Sequence, residues 1–149
     1  MNKIIKSGIV LALLPLVMSA SEYVVKTGAL SVDATIAKIE KIVESKKGLG
    51  VFTIIDHKKG ATKAGMELTD TKVILFGNPK MGTKLMKKDP LTALDLPIRV
   101  LVYSEKGETK IVYRDPQEWS NHFSLKGCKI MVTKMTKALD AITTKASEK

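Results

Sequence analysis

Apolar and polar positions repeat with two periods along the chain, and the points where one gives way to the other mark out its elements. Tyr23, Val24 and Val25 predict a short strand that Gly28 ends. Ser31 follows as an N-cap with Asp33 in the first turn, where negative charge suits the helix dipole. Val32, Ile36, Ile39 and Val43 then recur at helical spacing, predicting a helix over 32–46 with one apolar stripe for a sheet to cover. Residues 50–55 (GVFTII) are nearly all apolar and predict a central strand, with Asp56 and His57 at its end. The small, basic run 58–66 predicts a loop or a short weak helix. Residues 71–76 (TKVILF) predict another strand, closed by the turn Gly77-Asn78-Pro79, in which Pro79 biases Asn78 to an extended or turn conformation.

The second half follows the same grammar. Residues 81–94 predict a helical segment broken by Pro90, and Asp95-Leu96-Pro97 sets an extended exit. The alternating run from Ile98 to Tyr103, the turn Lys106-Gly107-Glu108 and the run Thr109 to Arg114 predict an antiparallel hairpin. Asp115 and Pro116 are an N-cap and N1 pair for a short helix carrying Trp119, His122 and Phe123. Gly127 breaks the chain before a last helix over 129–146, striped by Ile130, Met131, Met135, Ala138, Leu139 and Ile142. The order, with a hairpin near the C-terminus and amphipathic helices elsewhere, predicts an α+β fold: a mostly antiparallel sheet covered on one face by helices.

The N-terminus changes the picture of where this domain works. Lys3 and Lys6 precede an apolar run from Gly8 to Met18, too short to span a bilayer comfortably, and Ser19, Ala20 and Ser21 are small residues suited to cleavage. Residues 1–20 therefore read as a signal peptide and residues 21–149 as a single exported domain, periplasmic in destination. Without the leader, 23 basic residues face 15 acidic ones, a net charge of +8. All but Arg99 and Arg114 of the basic residues are lysines, and no arginine cluster or aromatic-interleaved basic patch appears, which speaks against nucleic acid. The lone Cys128 excludes an internal disulfide and reads as a small buried hydrophobe.

Candidate chemistry gathers at the corners, where sites usually lie. Asp56-His57 is the sharpest pair: His57 reads as a ligand or general base oriented by Asp95 or Asn78, or else as a structural hydrogen bonder at a strand end. Asn78 is a turn former or a substrate-binding amide; Asp95 is a loop hydrogen bonder or an acid. Tyr113 either points its hydroxyl into the same mouth or packs in the core, and His122 reads as a surface or packing residue. The methionines at 131 and 135 lie on a helical stripe and read as core. No CxxCH, paired cysteines, HxxxH, GxSxG or P-loop occurs, so no metal is assigned and the cofactor is left open.

Ile55-Asp56-His57 with Ala64-Gly65, then Leu75 to Pro79, Gly82 to Met86, Asp95-Leu96-Pro97, and Tyr113 with Asp115-Pro116, form a spaced set. In these motifs the chain from Tyr23 to the last helix resembles the bacterial family called domain of unknown function 302. The resemblance implies a TATA-binding-protein-like arrangement, a curved, mostly antiparallel sheet backed by helices, in a homodimer. It carries no established reaction and no implication of DNA binding. The expected function is a small-ligand or ion-binding accessory module with a polar site formed by Asp56, His57, Asn78, Asp95 and Tyr113. The alternatives are an enzyme using His57 as general base and a purely structural or oligomeric protein. The shared expectation is that the three corners 55–57, 76–79 and 95–97 meet in space.

Overall fold

Five antiparallel strands and four α-helices account for most of residues 22–149, which the computed structural model describes; the expected leader lies outside those residues. The elements are β1 (Tyr23–Gly28), α1 (Val32–Glu44), β2 (Gly50–Asp56), α2 (His57–Lys63), β3 (Thr71–Gly77), α3 (Pro79–Met86), β4 (Ile98–Glu105), β5 (Glu108–Arg114) and α4 (Lys129–Ser147). Two 3₁₀ segments, Pro90–Leu94 and Pro116–Asn121, join α3 to β4 and β5 to α4. The sheet order is β1-β5-β4-β3-β2, with every neighbouring pair antiparallel. The expected α+β fold is therefore present.

Register assigns each strand residue to a face, because alternate side chains point opposite ways. Ile74, Phe76, Ile98, Val100, Val102, Ile111 and Tyr113 share the face covered by helices and are almost fully buried. α1 meets them with Val32, Ile36, Ile39 and Val43, and α4 with Val132, Leu139, Ile142 and Ala146. Each such side chain is worth about 1.5–3 kcal/mol when fully buried, so this layer dominates the stability. Lys26 pins α4 to β1: its ammonium reaches the Asp140 carboxylate at 2.7 Å and carbonyl at 2.9 Å, and the Thr143 and Thr144 hydroxyls at 2.9 and 2.6 Å.

Among the described residues the opposite face carries no helix layer. Across it runs one row, Val25, Val112, Leu101, Val73 and Ile55, apolar on all five strands. Antiparallel sheets with one uncovered face usually show polar residues there, so this row departs from the pattern.

Local signals account for the element ends. The Ser31 hydroxyl accepts from the Ala34 N–H, as its N-cap position predicts. Lys106 at φ 51° and Gly107 at φ 82° form the tight β4–β5 turn, where positive φ at both central residues matches strand twist. Three helical starts use an acceptor side chain followed by proline: Asn78-Pro79, Asp89-Pro90 and Asp115-Pro116. Two sequence expectations need adjustment. The run 58–66 is helical only as far as Lys63, and that helix already begins at His57, because the Asp56 side chain caps it. The segment 81–94 is broken at Pro90 as expected, since Pro90 has no N–H to continue the ladder, but its first part, α3, already begins at Pro79, capped by Asn78.

Candidate functional site

The antiparallel register separates the expected corners. Asp56 lies opposite Lys72 at the start of β3, whereas Gly77 at the end of β3 lies opposite Gly50. Five steps of extended chain stand between those levels, roughly 16 Å at about 3.3 Å per residue. Asp56 and His57 therefore sit at one end of the sheet, and Asn78 and the Asp95–Pro97 corner at the other. The expectation that all three corners meet is corrected here: consecutive antiparallel strands end on opposite sides, so the ends of β2 and β3 cannot adjoin.

At the first end the charges satisfy one another. The Asp56 carboxylate accepts from the Lys59 N–H at 2.8 Å and pairs with Lys72 at 3.2 Å. Lys72 also reaches Asp33 at 2.6 Å, and Lys58 reaches Asp70 at 2.7 Å. The Lys59 N–H, followed by Lys72, holds the Asp56 carboxyl below its ordinary value. Asp33 and then Asp56 push the Lys72 ammonium above its own. His57 occupies the first turn of α2, exposed to solvent. Among the described residues no group of three or more His, Cys, Asp or Glu side chains is placed to hold a metal.

At the second end the polar residues border hollows. Asn78 caps α3, its side-chain oxygen accepting from the N–H groups of Lys80 at 3.0 Å and Met81 at 3.2 Å. Gly48, at φ +85°, lets the chain after α1 pass close to the Asn78 amide; a Cβ there would lie 3.0 Å from its nitrogen. Asp95 follows the 3₁₀ turn and precedes the cis Leu96–Pro97 bond. Its carboxylate takes an Arg114 N–H at 2.9 Å, and Arg114 also approaches the Tyr23 hydroxyl at 3.4 Å and Glu22 at 3.7 Å. The Tyr23 hydroxyl and then Asp95 raise the Arg114 pKa beyond its ordinary value.

Asp95, Arg114, Tyr23 and Arg99 line a cavity of about 270 Å³ whose other walls include Val73, Leu101, Val112 and Trp119. Arg99 and Arg114 are the only arginines in the sequence. Arg114 has carboxylate partners, whereas the Arg99 guanidinium donates to the Leu94 carbonyl and pairs with no carboxylate among the described residues. The fully buried Trp119 indole N–H finds no acceptor there either, a deficit that costs about 1–3 kcal/mol.

Of the five sequence candidates, Asp95 and Tyr113 border this cavity, Asn78 lies beyond Leu96 in the neighbouring hollows, and Asp56 and His57 are remote. Tyr113 packs in the core: its register places it on the helix-covered face, 3% exposed, with Thr143 and Asp140 near its hydroxyl. Burial, the largest influence, raises the phenol pKa. Cys128 is buried, and His122 pairs at the surface with Glu22 at 3.0 Å. Sequence reasoning missed Arg99, Arg114 and Tyr23. The available signal was the rarity of arginine in a lysine-rich chain, with Arg99 and Arg114 two residues from Leu101 and Val112 on adjoining strands.

Fold and cavities together define a small α+β module with one face of its sheet covered by helices and the other open. The chain matches the model of the family described as Domain of unknown function DUF302 over residues 23–142, and it belongs to that family. Its fold is similar to the crystal structure of an uncharacterized conserved DUF302 protein from Bacillus stearothermophilus. The TM-score is 0.76 at 20% identity, covering 85% of this chain and 99% of that one. Over 90 residues, 58% of this chain, it is 40% identical to "Fluoride-specific ion channel FluC 1" from Brucella suis biovar 1 and from Brucella abortus biovar 1. The match covers 35% and 33% of those proteins, so the chain spans about a third of the length of the curated relatives it matches. Among the described residues no helix is long and apolar enough to cross a membrane.

Proposed function

We propose that this chain is an exported accessory module that binds a small organic acid in the cavity between Arg99 and Arg114. The observation that carries the reading is the imbalance at that cavity. The chain's two arginines line one hollow with apolar walls, and among the described residues only Arg114 has carboxylate partners. A carboxylate against Arg99 makes charge-assisted hydrogen bonds with the donors that the Leu94 carbonyl leaves unused. The body of such an acid rests on Leu101 and Val112. The part-length likeness to proteins named for an ion channel supports an accessory role beside a larger protein.

Thermal unfolding in benzoate, hexanoate and sodium fluoride tests the reading, because a ligand of the native state raises the midpoint. Benzoate or hexanoate is expected to raise it, and Arg99→Gln to weaken that binding about tenfold through a lost charge-assisted bond. A fluoride response alone, or an unchanged response in Arg99→Gln, contradicts the proposal. Export is tested separately by sequencing the N-terminus of the protein from a periplasmic fraction; a mature start near Ser21 is expected, and an intact Met1 contradicts it.

A second reading is homodimerisation through the open sheet face. It rests on the apolar row across the five strands, of which Val25 is 57% and Ile55 43% exposed. Sedimentation of the wild type against Val25→Lys tests it: a dimer that the lysine dissociates is expected, and a wild-type monomer contradicts it.

A further inference from the structure

Two glycines bordering a pair of apolar hollows have no steric need to be glycine. Gly82 lies in the interior of α3 and Gly77 ends β3, and neither is among the positive-φ residues. A Cβ on Gly82 would meet Leu96 at 3.6 Å and Met86 at 3.9 Å; one on Gly77 would meet Phe52 at 3.8 Å and Pro97 at 4.0 Å. These are ordinary van der Waals separations. Alanine in a helix interior is favoured over glycine by about 1 kcal/mol, so position 82 forgoes stability without a clash to avoid.

What the glycines leave is space. A hollow of about 110 Å³ between α3 and α4 adjoins one of about 270 Å³ on the other side of α3. The two share Gly77, Asn78, Gly82 and Leu96 as common walls. Together they reach the lower end of the range for small-molecule sites, about 300–1,000 Å³. The linings are mostly apolar and include Met81, Met86 and Met135, unbranched side chains that adjust to irregular occupants. The Asn78 side-chain oxygen is already used in capping α3. Lys134, exposed on α4 at the smaller hollow, is the one charged residue of the two linings, and among the described residues no carboxylate pairs with it.

We propose that the adjoining hollows around Gly82 bind the tail of a single-chain amphiphile whose anionic head lies against Lys134. Narrow, adjoining apolar walls, parted only by the side of Leu96 against Gly82, fit one unbranched chain better than a ring system. The lone cation at the smaller hollow selects the charge of the head. These hollows border α3 and share no arginine with the cavity between Arg99 and Arg114, so the site stands independently of the organic-acid reading.

Calorimetric titration of the folded protein with decanoate, and with decanol as the uncharged counterpart, tests the proposal. Decanoate is expected to bind the wild type, and to keep one site per chain in Arg99→Gln, where the cavity beside Arg99 is weakened. Gly82→Leu places a side chain into the space beside the shared Leu96 wall and is expected to weaken decanoate about tenfold, the equivalent of roughly two buried methylenes. Lys134→Gln is expected to weaken decanoate about threefold, as an exposed ion pair does, and to leave decanol unchanged. Gly82→Ala guards against a leucine variant that does not fold: it is expected to raise the melting temperature and to bind decanoate more weakly than wild type. No decanoate binding to the wild type overturns the proposal. So does binding to folded Gly82→Leu, or to Gly82→Ala, equal to that of the wild type. A Lys134→Gln variant that loses neither ligand overturns the assignment of the head.

Discussion

The two ends of the sheet hold similar numbers of polar residues and use them differently. At the Asp56 end, Asp33, Asp56 and Asp70 are matched by Lys72 and Lys58, and His57 stands exposed on a short helix. At the Asp95 end, Asp95 and Glu22 both turn to Arg114 while Arg99 is left facing a cavity. The difference teaches that a pair of chemically able residues, such as Asp56-His57, says less about a site than an unbalanced charge beside an apolar wall. Ion pairs at an exposed sheet end are worth little and satisfy themselves; a cation that keeps spare donors against a hollow is available to a ligand.

The contrast can be broken or sharpened by substitution. The largest effect is expected from Asp95→Ala, which leaves the half-buried Arg114 without its nearest carboxylate and destabilises the fold by about 2 kcal/mol. Chemical denaturation measures it; a loss below a few tenths of a kcal/mol makes the Asp95–Arg114 pair dispensable. Asn78→Ala removes the α3 cap and is expected to cost about 1 kcal/mol by the same measurement. An unaffected midpoint there means that α3 is held by packing alone.

Asp56→Asn probes the other end through pH. The Asp56 carboxyl is held below its ordinary 3.8, so its ionised form contributes stability above that value. The contribution is lost as pH falls through the lowered folded value. The asparagine variant keeps a capping oxygen but not the titration, so its melting temperature should decline less steeply on acidification than that of the wild type. Parallel curves refute the assignment. The smallest effect is expected from His57→Ala, within about 0.5 kcal/mol, as for surface substitutions away from special features. A larger loss means that His57 holds more than its exposed position indicates.

Much of the fold was legible because its signals are local. Ser31, Asp115-Pro116 and the Lys106-Gly107 turn announced the element boundaries that they form, and the stripe from Val32 to Val43 named the buried face of α1. The site was less legible because register is a long-range property. Asp56 and Asn78 each end a strand, and only the antiparallel pairing of β2 with β3 sends them to opposite ends. The same pairing brings Asn78 and the Asp95 corner to one end, since β4 begins where β3 stops. Tyr113 illustrates parity: Arg114 faces the open side with Tyr23, so its neighbour in sequence must enter the core. The Arg99 and Arg114 cavity left no motif, because it is assembled from strands β4 and β5 and the corner before β4.

The proposed binding puts ligand chemistry at the Arg99–Arg114 end and not at the His57 end. Backbone amide shifts followed by nuclear magnetic resonance during a benzoate titration test it most directly. Saturable shifts are expected to concentrate at Asp95, Arg99 and Arg114, with Asp56 to Lys59 unmoved. Shifts concentrated at Asp56 to Lys59, with Arg99 and Arg114 unmoved, would contradict it.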